Sequence, residues 1–487
     1  MYSVRIKIAL FYFVSALFIL LNAYFLVKRH SMILNALPLA FAIVLLAIFA
    51  FDKLLYLIVC FTPISIPLSE IMPGLPINMF LPTEPLLFGI LLIFIMKLFA
   101  SGKFDRDILI HPVSLAIFFS LFWLLITSTT STMPIVSFKF LLSRIWFIVG
   151  FYLLTALLFK TSKNIEKYIW LYTLPLLFVI FYTTNRHLGY GLWDKQAANF
   201  VPTPFYNDHT SYGASIAMYL PFLFGFSFTK IYSSRVKTFA RIVLGILLMG
   251  FILSYARAAW LSMMAALVVW IIMRLKIRFK PIFLTFLITL SLILVFQNQI
   301  LMYLERNTTE SSTDLATHIS SMSNISSDAS NLERINRWSC AIRMFEDKPV
   351  FGWGPGTYMF NYAPYQLTAD RTIISTNSAN GGNAHSEYLG PMAESGFMGL
   401  VTFILLISVV IYTAVHAYSR TSDKRLKTIV MSALLGLITY YMHGTMNNFL
   451  DTDKLSVPFW GFTAIIVAID IYTRKESDPL VLPESQA

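Results

Sequence analysis

The chain has 487 residues, of which 57% are hydrophobic and 13% charged, and a formal net charge of +12; its mean hydropathy is +0.68. A soluble protein carries about 25% charged residues, so this composition excludes an ordinary water-soluble enzyme. Repeated apolar runs of about 17–20 residues match a bilayer core, and the short alternating segments of a β-barrel are not seen, which leaves an all-α polytopic membrane protein. The basic residues gather on loops, where they orient a membrane chain, so the positive balance does not point to nucleic acid. Cys60 lies in an apolar run and Cys340 in a polar interval, and no disulfide framework is implied.

Hydropathy places about fourteen spans, with twelve as the lower count: 8–27, 32–50, 53–68, 83–99, 111–129, 141–160, 166–184, 210–229, 238–255, 257–274, 280–300, 396–417, 428–446 and 456–473. The first is long enough to cross and lacks the small-residue cleavage site of a signal peptide. Basic groups at Arg5 and Lys7, Lys160 to Lys167, Lys230 to Arg241, Arg274 to Lys280, Arg420 to Lys427, and Arg474-Lys475 fall on one side, which reads as the cytoplasm; Lys28-Arg29 is the exception. The implied organisation is a membrane domain over 1–300, an outside loop over 301–395, three last spans over 396–475 and a cytoplasmic tail over 476–487. Membrane lipids are partners by necessity.

The long loop is the main polar interval. Its first third is a Ser/Thr/Asn/Asp tract expected to be flexible and without chemistry. Order is predicted to resume at Ser330, which with Glu333 has the form of a capping box. Leu332, Ile335, Ile342 and Phe345 recur at helical spacing, and Arg334 and Arg337 share the opposite face. The helix is expected to stop near Lys348-Pro349. Gly352, Gly354 and Gly356 form a turn, and Asn383 to Glu394 reads as a short helix broken at Ser395-Gly396.

Several residues can carry chemistry. His385, followed by Glu387 and Tyr388, can take a proton near neutral pH; a loop histidine bonded to backbone is the alternative. A metal site is not supported, because His385 and Glu387 fall on different sides of a helix. Arg257 sits between two apolar runs, where a charge is costly unless it meets a polar cavity or an anion such as phosphate; snorkelling to head groups is the other reading. Arg186 and Lys195 add charge on the outside. Asn207, Asp208 and His209 place polar groups at the mouth of span 210–229, to meet sugar hydroxyls or pyrophosphate, or simply to cap the helix. No carboxylate lies in the middle of an apolar run, and the outside loops are unequal. Both features weigh against a coupled transporter. No P-loop, Rossmann fingerprint or nucleotide-sugar motif is present, which favours a donor activated on a lipid.

These stretches resemble the O-antigen ligase and O-antigen polymerase superfamily of bacterial inner-membrane, lipid-linked glycan transferases. RINRWSCAIRMFEDKPVFGWGPGTY, NAHSEYLGPMAESGFMGL, LSYARAAWLS and FYNDHTSYGA are similar to its motifs, and together they cover roughly 190–270 and 331–400. The resemblance implies metal-independent, cofactor-free transfer on the periplasmic face. The donor would be a glycan on undecaprenyl pyrophosphate and the acceptor lipid A-core or a similar hydroxyl. His385 would serve as base. Arg257 would hold the pyrophosphate with a second cation among Arg186, Lys195, Arg334 and Arg337. Asn207, Asp208, His209, Glu387 and Tyr388 would contact acceptor or sugar, and displacement would invert the anomeric carbon. A polymerase, a protein O-oligosaccharyltransferase and a lipid-linked glycan flippase are the alternatives.

Overall fold

The computed structural model describes residues 2–30, 33–72, 79–277, 329–368, 371, 375 and 382–477. The predicted span 280–300, the Ser/Thr-rich tract and most of the tail lie outside them. Residues 1–57 form one compact unit and 58–487 another. The first carries helix α1 (Tyr2–Arg29), α2 (Ala36–Phe49) and the start of α3 (Phe51–Phe61).

In the second unit a two-residue ladder pairs β1 (Ile66–Pro67) with β2 (Phe80–Leu81). The long helices follow: α4 (Thr83–Ser101), α5 (Pro112–Thr129), α6 (Pro134–Ile148), α7 (Lys163–Leu188), the single turn α8 (Lys195–Ala198), α9 (His209–Phe228), α10 (Ser234–Leu253), α11 (Arg257–Leu275), α12 (Ala329–Asp347), α13 (Leu389–Arg420), α14 (Lys424–His443) and α15 (Asp453–Ser477). Helix α6 runs on through a π-helical turn, Val149–Leu154, to Leu158.

The protein is therefore all-α, and ten of the described helices are long and apolar enough to cross a membrane. The difference from fourteen has local causes. Prolines 63 and 67 end the run predicted over 53–68, leaving an eleven-residue helix and a ladder. The run over 32–50 is helical for fourteen residues. Helix α9 forms as expected but is not among the ten. It is threaded with buried Thr210, Ser211, Ser215 and Ser227 and packs along α10 and α14 as an inner helix. A Cβ at Gly213 would meet Ala256 Cβ and Ser254 Oγ, so that glycine lets α9 lie close to the start of α11.

Two buried charge clusters fasten the bundle. Lys454 Nζ donates to Ser65 Oγ at 2.6 Å and to the carbonyls of Ser65 (2.7 Å) and Thr62 (2.5 Å), while Asp453 Oδ2 accepts from Ser65 Oγ at 2.6 Å. At the other end of α15, Asp470 is fully buried. It takes Arg474 Nη2 at 2.8 Å, Arg420 Nη2, and His111 Nε2 at 3.2 Å. His111 Nδ1 accepts from Val113 N, so Nε2 carries the proton donated to Asp470.

Candidate functional site

The ordered part of the loop has its own small core, in which Cys340, Ala341 and Met344 of α12 pack with Tyr358, Tyr362, Ala384 and Ala393. Neither Cys60 nor Cys340 is in a disulfide. Helix α12 matches the predicted bounds, but its polar face is not solvated. Arg337 is 3% exposed. Its Nε donates to Glu333 Oε1 at 2.6 Å, and its guanidinium lies 4.0 Å from the centre of the Tyr362 ring. Glu333, the described half of the predicted capping box, turns to Arg337 and to Ser375 Oγ. Arg334 is half-buried.

The glycine turn is stitched to the first turns of α13. Trp353 N donates to Ala393 O (3.2 Å), Gly354 N to Glu394 O (2.7 Å), Tyr358 N to Glu394 Oε1 (2.9 Å) and Phe397 N to Pro349 O (2.8 Å). Gly396, at φ 69° and ψ −167°, breaks the helix where the sequence predicted, and a Cβ there would run into the Val350 carbonyl. The short helix starts at Leu389 rather than Asn383, with Ser386 Oγ accepting from the Tyr388 and Leu389 N–H groups at 3.2 Å each.

His385 stands just before that start in the left-handed region, at φ 48°. A histidine occupies this region at a cost. It is held there by Trp338 Nε1, which donates to His385 O at 3.2 Å, and by Asn383 Oδ1, which accepts from His385 N at 3.1 Å. Burial, reinforced by the positive fields of Arg334 and Arg337, brings the imidazole down to about 4, against smaller opposing effects of Asp208 and Glu333. The ring is therefore neutral at pH 7.

Arg257 is the first residue of α11, and Tyr255 just before it is also left-handed, at φ 51°. Tyr255 OH donates to Leu192 O at 3.2 Å, tying this corner to the 185–209 segment. Lys195 in that segment is lowered by burial and then by Arg257. His209 lies in the fields of Asp208, Arg334 and Arg257. Arg334 thus acts on both His385 and His209, and Arg257 on both His209 and Lys195. Asp208 lies in range of both histidines and Arg337 of His385, while Arg257 and Lys195 are linked to this end only through His209.

Several candidates are also bonded within the scaffold. Arg186 donates to Val201 O at 3.1 Å, to Thr203 Oγ1 at 3.3 Å and to Thr203 O. Asp208 Oδ1 caps α9, accepting from Thr210 N and Ser211 N at 2.8 and 2.7 Å; Asn207 beside it is exposed. Glu387 Oε1 accepts from Tyr440 OH, Phe449 N and Leu450 N at 2.6–2.9 Å. Tyr388 OH donates to Tyr441 O at 2.9 Å. Glu387 and Tyr388 thus brace the His385 turn against α14 and the turn that follows it.

Sequence reasoning missed His443, the last residue of α14, which is 1% exposed and lies in the fields of Arg334, Asp208 and His209. Asn447 Nδ2 lies 3.1 Å from its Nε2. The His-x-x-x-Asn spacing across a helix end was the available signal.

No curated protein matches the chain. Residues 242–404, which take in Arg257, α12 and His385, match the family model described as O-antigen ligase. Members of that family are glycosyltransferase-like membrane enzymes, and the family suggests lipid-linked glycan substrates. This match supports the O-antigen ligase and polymerase superfamily for this chain.

Proposed function

We propose that the protein is an O-antigen ligase-like glycosyltransferase. It moves a glycan from undecaprenyl pyrophosphate to an acceptor hydroxyl, such as one on lipid A-core, on the periplasmic face of the inner membrane. The observation that carries this is the shared field around Arg334, in which a neutral buried histidine and several cations meet. Guanidinium groups bind phosphate oxygens through paired, charge-assisted hydrogen bonds. Arg257 and Arg334 hold the pyrophosphate, with Lys195 and Arg337 adding to the field. The acceptor oxygen forms its bond to the anomeric carbon as the bond to pyrophosphate breaks. The electron pair leaves on the pyrophosphate oxygen, the hydroxyl proton passes to His385, and configuration inverts.

An imidazole held at about 4 is a weak base in the empty site. Donor binding offsets the part of this that the arginines add, because the pyrophosphate cancels their field, while burial, the larger cause, remains. Proton affinity is thereby raised only when there is a sugar to transfer.

Transfer by the purified chain tests the reading. It is offered undecaprenyl-pyrophosphate glycan with lipid A-core, a second donor molecule or a Ser/Thr-rich peptide, with and without chelator. We expect product on lipid A-core, indifferent to chelator. His385→Asn, a residue that tolerates the left-handed backbone, should reduce it about 10²–10⁴-fold. Product only on a second donor would make the enzyme a polymerase, and product only on peptide a protein glycosyltransferase. Donor crossing vesicles without transfer would sink the enzyme reading.

A further inference from the structure

The two halves of the candidate site come from distant segments. Arg257 opens α11, and His385 stands in the turn before α13. Helix α14 packs along both α11 and α13, and the turn at its C-terminal end reaches each half. On one side Gly444 O accepts from Glu387 N at 2.7 Å, while Glu387 Oε1 accepts from Phe449 N and Leu450 N at 2.8 and 2.9 Å. The turn thus grips the residue two places after His385. The fit is close, since a Cβ at Gly444 would come within 3.2 Å of Glu387 Cγ. On the other side His443 lies against the backbone of Ala258, the residue after Arg257. Helix α9 closes on the same corner, where a Cβ at Gly213 would meet Ala256 Cβ at 2.6 Å.

His443 and Asn447 are both buried. Asn447 Nδ2 lies 3.1 Å from His443 Nε2. An amide nitrogen donates, so Nε2 accepts and the ring proton sits on Nδ1. The Phe449 ring, 5.7 Å from the imidazole centre, packs beside it. Nδ1 is buried and makes no full hydrogen bond, and the Ala258 backbone is the hydrogen-bonding group that acts on the ring. An apolar side chain would fill this space without leaving a buried donor to satisfy. The ring also lies in the fields of Arg334 and Asp208, which act on His385 as well. His443 therefore stands between the Arg257 corner and the His385 end, in contact with the turn that holds the latter.

We propose that His443 is a positioning residue for Arg257. It fixes the first turn of α11 against the turn that grips Glu387. In this way it sets the separation between the cation that meets the leaving pyrophosphate and the base at His385. Transfer depends on that separation, because both groups act about one carbon. The inference rests on the transfer reading above and gives His443 no contact with either substrate.

Two measurements on the full chain in detergent test it: retention of undecaprenyl pyrophosphate, and initial transfer rates with donor and acceptor varied in turn. His443→Ala should weaken retention and raise the donor KM roughly tenfold. The acceptor KM should stay unchanged, and so should the acid limb of kcat/KM, since His443 is not among the groups that act on His385. His443→Asn, whose amide nitrogen reaches the place of Nδ1, should recover most of the loss. Added to Arg257→Gln, His443→Ala should bring no further loss, because a residue that acts through Arg257 then has nothing to position. Asn447→Ala releases the other ring nitrogen and should give the same split in smaller measure. It carries the test if His443→Ala elutes as aggregate. An unchanged donor KM in the folded variants would overturn the proposal, as would a full additional loss on the Arg257→Gln background. Either result would leave a purely structural histidine. An acid limb displaced by His443→Ala would overturn it in favour of a second base. In all three results the wild type still transfers. A wild type that neither retains the lipid nor transfers would overturn the function itself, and the proposal with it.

Discussion

Two charged clusters stand at opposite ends of α13, built from the same residue types and arranged differently. At the Arg420 end, His111, Arg420 and Arg474 all bond one buried carboxylate, Asp470. At the His385 end the arginines act on the histidine through space. Burial first, and then their field, prevail over Asp208 and Glu333 and hold the imidazole down to about 4. The first arrangement is finished in the folded chain and does mechanical work. The second, in which Arg337 also pairs with Glu333 at 2.6 Å, surrounds a buried histidine with positive field. The contrast shows why counting buried charges does not locate a site; what matters is the group the charges are arranged around.

Three perturbations would break or sharpen this comparison. The largest effect is expected from Asp470→Ala, which strands two arginines and a histidine. The loss of stability should be about 3 kcal/mol, at the low end for a broken buried pair, because Arg420 and Arg474 are part-exposed and can rehydrate. Thermal unfolding reads it, and transfer per folded molecule should stay within about twofold. A large activity loss with unchanged stability would erase the distinction between the clusters.

Next is Arg334→Gln, for which transfer should fall roughly 10²-fold, the scale of losing one preorganised charge. It should also change the pH profile. His385 is held below its ordinary value, so the free enzyme keeps its base down to about pH 4. Removing a nearby positive charge raises that value, and the acid limb of kcat/KM should move up in pH. An unmoved limb would show that Arg334 does not act on His385.

The smallest effect is expected from Arg186→Gln. That arginine is engaged with the 201–203 loop, so the cost should be about 1–2 kcal/mol in stability with the acid limb unmoved. A shifted limb would return Arg186 to the site.

What the sequence made legible was what local pattern controls. Helix α12 and the break at Gly396 follow from periodicity and from a glycine beside a membrane run. What it hid depends on distant partners. Glu387 reads as a ligand contact until Tyr440, Phe449 and Leu450, more than fifty residues on, are seen to bond it. Arg337 reads as an equal of Arg334 on one helix face until Tyr362 is seen to fold over it. Arg144 looked like the edge of a run predicted from 141, whereas the helix starts at Pro134 and carries the charge further from its end.

The stitching of the glycine turn to α13 also sets an order of events in biogenesis. Trp353, Gly354 and Tyr358 lie ahead of α13 in the chain, yet their N–H groups bond Ala393 and Glu394, and Pro349 waits for Phe397. A nascent chain that has emerged only as far as residue 380 has neither His385 nor the partners that hold the turn. Competence would thus be acquired late, after α13 is threaded and its first turn handed across the bilayer. A chain stalled or truncated before that point would lack His385 and the partners that hold the glycine turn.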